Sequence, residues 1–332
     1  MTDQPSSSQA AFAGSLSERV LSGDARAIAR AISLIEDEAS GGADLIRRIF
    51  ASTGRAYIIG VTGPPGAGKS TLVDRMTFAM RASGQTVGIV AVDPTSPFTG
   101  GAILGDRVRM QAHANDSGVF IRSMATRGHL GGLARATSEA ALVLDAAGKD
   151  VVIIETVGVG QDEVDIVRTA DVSVVTLVPG AGDEVQALKA GIMEIADIFV
   201  VNKADREGAD RTVTAIEAML TLHTFAEGEW RPPIVKTEAT TGKGVDQLQD
   251  AIDRFRTHTA VTQAARRRAR VEYRVRELLS HRFVSHVEEQ TLRPGEFSAL
   301  VDRIAARELD PYTAVDTVFA RTLRPAKNGD LS

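Results

Sequence analysis

The sequence predicts an α/β fold, a mainly parallel sheet flanked by helices with helical extensions at both ends. Three observations carry the prediction. Between residues 56 and 258, short and nearly unbroken apolar runs recur: AYIIGVTG, TVGIVAVD, VFIRSM, DVVIIET, VSVVTLVP, IFVVNKAD and PIVKTEA. Segments of helical character separate them. Almost every polar or glycine-rich feature falls just after one of the runs. Unbroken β-branched runs mark strands buried on both faces, and their alternation with helices implies right-handed βαβ crossovers. Sheets of this kind bind ligands at the carboxyl ends of their strands.

Along the chain the elements follow in order. Residues 1–14, rich in Ser, Gln and Ala, read as a disordered tail. Residues 15–55 form an N-terminal helical arm, its apolar residues at helical spacing and its breaks at SGD and SGGAD, where a small or acidic residue caps the next helix. The α/β domain occupies 56–258. A C-terminal helical extension covers 259–332. In it VEYRVRELLSHRFVSHV sets Val271, Val275, Leu278, Phe283 and Val287 on one face, RPGEF breaks the helix, and two shorter helices follow at about 295–308 and 311–323. The run Arg266 to Arg270 reads as a solvated helix face, with a docking patch as the alternative.

Composition narrows the function classes. The chain of 332 residues is 43% hydrophobic and 24% charged, as for a globular protein with a substantial core. A net charge of −5 gives no electrostatic case for a nucleic-acid partner. With no cysteine, a disulfide framework, a thiolate metal site and thiol catalysis are excluded, which fits a reducing cytoplasm. The first residues lack a basic start and apolar run, so no signal peptide is expected. No stretch approaches the roughly 18–20 apolar residues of a membrane span.

The strongest motif follows the first apolar run. Gly63-Pro64-Pro65-Gly66-Ala67-Gly68-Lys69-Ser70, with Thr71 next, has two glycines spaced by four residues before Lys-Ser, the P-loop pattern. Glycine lets consecutive N–H groups turn inward toward phosphate oxygens, and the helix that starts near Lys69 adds its positive dipole end. Lys69 supplies a point charge for β and γ phosphates, and the Ser70 hydroxyl is a ligand for Mg²⁺. The fold is therefore expected to be that of a P-loop NTPase.

Asn202-Lys203-Ala204-Asp205, at the end of the sixth run, selects the base. A carboxylate at Asp205 accepts both the N1–H and the exocyclic amine of guanine, a donor pair that adenine does not present. Asn202 braces the neighbouring loop and the Lys203 stem lies over the base. TEATTGKG after the next run supplies a further loop, with Ala239 and Thr240, to close over it. The nucleotide read from these residues is GTP, with GDP as product. For Mg²⁺, which prefers oxygen ligands, the strand-end carboxylates Asp93 and Glu155 join Ser70. Asp106, in a glycine-containing segment, is a metal ligand or a helix cap.

Taken together, the strings GPPGAGKSTLVD, AVDPTSP, GDRVRM, TRGHLGGLA, ETVGVGQDE and NKAD resemble the MeaB/ArgK type, the methylmalonyl-CoA mutase-associated GTPases. Where many G proteins place Asp-x-x-Gly, this chain has Glu155-Thr-Val-Gly158. The resemblance implies a homodimer joined through C-terminal helices and a partner, methylmalonyl-CoA mutase, that carries adenosylcobalamin. GTP binding and slow hydrolysis would gate cofactor delivery and protect the mutase, with B12 belonging to the partner. The P-loop residues, the Mg²⁺ ligands Asp93, Asp106 and Glu155, and Asn202, Lys203 and Asp205 carry over directly. The segment 178–191 resembles a further switch, with Gln186 and Lys189 as contacts to the mutase. Asp162 departs from the serine such proteins often carry.

For hydrolysis, Lys69 stabilises charge, Asp106 and Gln161 are both candidates to orient the attacking water, and Arg109 and Arg127 are internal alternatives to a partner's arginine. Three rival readings exist. A metallochaperone GTPase needs a dense His or Cys cluster, whereas His113, His129, His223, His258, His281 and His286 are scattered. An ArgK-type transport-protein kinase needs an acceptor-hydroxyl site with a base, which no motif supplies. A scaffold with a structural nucleotide fits poorly with an intact Lys69, Ser70 and Glu155.

Overall fold

A computed structural model describes residues 15–37, 39, 41–93, 113, 115–125, 132–156, 158, 169–180 and 195–322. The chain falls into two compact units that divide between Ala260 and Val261.

The first unit holds a seven-stranded sheet. Its strands are β1 (Tyr57–Thr62), β2 (Val87–Asp93), β3 (Val119–Ala125), β4 (Val151–Glu155), β5 (Val172–Leu177), β6 (Ile198–Asn202) and β7 (Ile234–Thr237). Each of the seven apolar runs became one strand, and every pairing is parallel, in the order β3-β2-β4-β1-β5-β6-β7. The runs are unbroken because both faces are covered. Helices α4 (Lys69–Ala82) and α7 (Val245–Thr259) pack Leu72, Met76, Leu248 and Phe255 against Ile59, Ile153, Val174 and Val200. On the opposite face α6 (Ala209–Leu220) lays Ile216 and Leu220 on Val175, Phe199 and Val201.

The remaining cover comes from the N-terminal segment. Helices α1 (15–21), α2 (Ala25–Glu36) and α3 (Gly42–Ile49) and α5 (Gly132–Ala146) bury Val20, Ile28, Ile32, Leu45, Ile49 and Leu144 with Val90, Val92, Val152 and Ile154 of the strands. The arm is thus part of the same core as the sheet. Arg122 of β3 locks it by donating to Ser33 Oγ at 2.9 Å and Glu36 Oε2 at 2.8 Å. Asp24 caps α2, accepting from Ala27 N at 2.9 Å, as the SGD break predicts.

The second unit is helical: α8 (Gln263–His286), a π turn (Val287–Thr291), α9 (Glu296–Ala305) and α10 (Pro311–Thr322). Its exposed apolar stripe differs at two positions from the sequence expectation. Val271, Val275, Leu279 and Phe283 are the exposed members, at successive i+4 steps, while Leu278 is half-buried and Val287 falls in the π turn. Among the described residues no helix is long and apolar enough to cross a membrane.

Candidate functional site

The carboxyl ends of β4, β1, β5, β6 and β7 stand side by side, and the loops that leave them carry the predicted residues. After β1 the chain must turn sharply beside β5. Gly63 (φ 143°) does this so closely that a Cβ there would lie 2.0 Å from Thr176 O, so no other residue fits. Gly68 takes the N-cap place of α4 with no side chain capping it. The positive end of α4 therefore meets the turn without a side-chain cap, a place that favours an anion. Ala67 N donates to Pro64 O at 3.1 Å, which closes the turn.

Lys69 opens α4 and is buried, its Nζ donating to Gly63 O at 2.8 Å and Pro64 O at 3.1 Å. The ammonium is thereby held against the carbonyls of the glycine-rich turn. Ser70 follows, and its hydroxyl donates to Glu155 Oε1 at 2.6 Å; both residues are buried. A carboxylate at a buried strand end needs such a charge-assisted partner. Two hard oxygen donors this close, one at the end of β4 and one at the start of α4, suit the chemistry of Mg²⁺. Asp93 closes β2 in register with Ala125, on the strand beside β4. Gly158, three residues past Glu155, is drawn in by Thr62, whose Oγ1 donates to its carbonyl at 2.5 Å, and by Thr156 Oγ1 at 3.3 Å.

The base end is built from β6 and β7. Asn202 Nδ2 donates to Ala67 O of the phosphate loop at 2.8 Å, and its Oδ1 accepts from Thr237 Oγ1 at 3.0 Å and Ala239 N at 3.1 Å. Its expected bracing role has this geometry. Lys203 adopts φ 57°, unusual for a residue with a Cβ, and its Nζ donates to Gly66 O at 2.7 Å, so its stem spans from one loop to the other. Asp205 is exposed. In the loop after β7, Glu238 accepts from Lys243 Nζ at 2.7 Å, which raises the lysine above its ordinary range, with the Asp205 charge adding to the effect. Ala239 is buried and Thr240 exposed.

Asp106, Gln161, Gln186, Lys189, Arg109 and Arg127, together with the 1–14 tail, lie outside the described residues. Three contributors carry no sequence signal. Thr62 and Thr156 read as ordinary strand residues, and Arg75, which donates to the carbonyls of Ala239 and Thr240, reads as a solvated helix arginine.

Comparison with known proteins agrees with this geometry. Residues 28–292 match the family model described as "Methylmalonyl Co-A mutase-associated GTPase MeaB". A Pyrococcus abyssi protein is 52% identical over 308 residues, covering 92% of this chain and 95% of its own. The Escherichia coli GTPase ArgK is 35% identical over 314 residues, 89% of this chain and 94% of its own. A crystal structure titled as an LAO/AO transport system kinase superposes with a TM-score of 0.71 at 26% identity, covering 95% of this chain and 98% of that one. The phosphate loop, the oxygen pair behind it, the Asn-Lys-x-Asp loop and the match over most of the chain make this protein a member of the MeaB family, a P-loop GTPase that binds and hydrolyses GTP.

Proposed function

We propose that this GTPase associates with methylmalonyl-CoA mutase and uses GTP binding and hydrolysis to gate adenosylcobalamin delivery and to protect the mutase from inactivation. The observation that carries the reading is the family match over residues 28–292, in a family described by its association with that mutase. A mouse relative, 29% identical over 337 residues, is described as a methylmalonic aciduria type A homolog. Cobalamin stays with the partner.

Within the chain, Lys69 and the α4 amides bind the phosphates, while Lys203, Asp205 and the loop with Ala239 and Thr240 take the guanine, with Asn202 bracing that loop. Ser70 and Glu155, with Asp93 and Asp106, would hold Mg²⁺, which would supply charge neutralisation for the phosphates. The Ser70–Glu155 pair at 2.6 Å supports this assignment. Asp106 and Gln161 are the candidates to orient water, and Gln186 and Lys189 to signal to the mutase. Phosphoryl transfer asks the protein for positioning and charge, not for a covalent intermediate, and that suits a slow switch.

The C-terminal extension serves as the dimer contact. Val271, Val275, Leu279 and Phe283 are exposed at i+4 spacing along α8, with the Phe319 ring 5.7 Å from that of Phe283, and Phe297 is also exposed, apolar surface of the kind that interfaces use.

The test is GTP turnover with and without apo and holo methylmalonyl-CoA mutase, alongside Lys69→Ala. Stimulation of about tenfold or more, absent in Lys69→Ala, is the expected result. Unchanged turnover together with no complex on a sizing column removes the mutase as client and leaves the GTPase.

A further inference from the structure

Arg75 stands on α4, less than two turns past Lys69. Its Nε donates to Ala239 O at 3.2 Å and its Nη2 to Thr240 O at 2.8 Å. The two acceptors are consecutive peptide carbonyls, and the planar guanidinium fork meets them as a pair in a way a lysine does not. The same loop is tied from its other side: Ala239 N donates to Asn202 Oδ1, and Asn202 Nδ2 donates to Ala67 O. The 238–244 loop is therefore fixed at two points to the phosphate-binding element. Asn202 ties it to the turn and Arg75 ties it to the helix.

This second tie sets the orientation of a peptide unit. In a trans peptide the N–H points opposite to the C=O. Drawing the Ala239 carbonyl to Arg75 turns the Thr240 N–H away from the guanidinium, and that N–H has no hydrogen bond among the described residues. Elsewhere the loop is held internally, by Glu238 N donating to Lys243 O at 2.9 Å and Thr241 N donating to Glu238 O at 3.0 Å. A loop already ordered before the base arrives costs less to close on it.

We propose that Arg75 is a positioning residue for base recognition: its clamp on the carbonyls of Ala239 and Thr240 holds the loop after β7 in its base-reading form, so guanine selectivity and slow nucleotide release depend on it. The inference rests on the reading of Asn202, Asp205 and this loop as the base site. The side-chain hydrogen bonds of Arg75 end on these two loop carbonyls. Its effect is confined to the half of the nucleotide that the loop contacts.

That confinement supplies the test. Full-length wild type, Arg75→Ala and Arg75→Lys are compared for release of fluorescent GDP, for GDP-over-ADP preference and for competition by pyrophosphate, a ligand with no base. For Arg75→Ala the expected results are GDP release faster by about tenfold, as loss of two charge-assisted hydrogen bonds allows, a preference for GDP lowered by a similar factor, and pyrophosphate affinity within about twofold. Arg75→Lys, which keeps the charge but not the fork, recovers part of the loss. GDP release within about twofold of wild type in Arg75→Ala overturns the role, as does an equal loss of pyrophosphate affinity, which would mark general damage to α4. A wild type with no preference for GDP over ADP overturns the base-site reading itself.

Discussion

Asn202 spends both ends of its amide on protein. With 1% exposure it bonds Ala67 O, Thr237 Oγ1 and Ala239 N, and so joins the phosphate loop, β7 and the loop beyond it. A substitution to alanine leaves a buried carbonyl, hydroxyl and amide without that partner, and each such group costs about 1–3 kcal/mol when water does not replace it. We expect Asn202→Ala to lower stability by about 2–4 kcal/mol, a fall in thermal midpoint of roughly 4–16 °C for a unit of this size. GTP binding falls with it, since the loops on both sides lose their common brace. Differential scanning calorimetry and nucleotide titration check both parts; an unchanged midpoint would mean that the Asn202 bonds are made by water equally well.

At the scale of elements, aspartates stand just before three of the strands and pin the neighbouring strand's start. Asp150 precedes β4 and accepts from Thr86 N at 2.7 Å and Thr86 Oγ1 at 2.8 Å; Asp171 precedes β5 and accepts from Ile58 N at 2.9 Å; Asp197 precedes β6 and accepts from Ser173 N at 2.8 Å. Buried Asp145, near the end of α5, likewise accepts from Arg55 N at 3.1 Å and Ala56 N at 2.9 Å as the chain enters β1. The Thr86 backbone amide, and then its hydroxyl, hold the Asp150 carboxyl below its ordinary value of 3.8. Asp116 is lowered first by Arg81 and then by the Gly118 amide. A depressed folded-state pKa stabilises the protein above the unfolded value, and the contribution is lost as pH falls through the folded one. The urea midpoint of the wild type should therefore decline on acidification below about pH 4. Asp150→Asn should start from a lower midpoint and decline less over that window. Parallel curves for the two proteins would remove Asp150 from the account.

For the whole molecule, the division between Ala260 and Val261 separates a unit with a deep two-faced core from one whose apolar residues are largely exposed. Residues 261–322 carry Val271, Val275, Leu279, Phe283, Phe297 and Phe319 on their surface, and in a lone helical unit that area has no cover. In the dimer proposed above, pairing with a second copy would remove it from water, at about 25 cal/mol per Å² of apolar surface before the cost of association. Val275→Glu combined with Phe283→Glu should move the protein from dimer to monomer in sedimentation, while GDP affinity, a property of the first unit, stays within about twofold. A dimer that survives both substitutions would place its contact elsewhere.

The local chemistry of this protein was already set in its sequence. Seven apolar runs gave seven strands because a parallel sheet with both faces covered needs no polar alternation, and GPPGAGKS had to be a phosphate turn because its glycines and its lysine act within eight consecutive residues. NKAD and the Glu155 strand end were legible for the same reason. Contacts between distant residues were not. Ser70 and Glu155 are 85 residues apart and meet at 2.6 Å only because β4 lies beside β1. The tie from Asn202 to Ala67 spans 135 residues. The N-terminal helices read as an arm, since amphipathic spacing shows that a face is buried but not against what; packing placed it under β2 and β4. Arg75 had no motif at all. On a helix an arginine is by default solvated, and only the tertiary approach of the loop after β7 supplied the two carbonyls that give it a role.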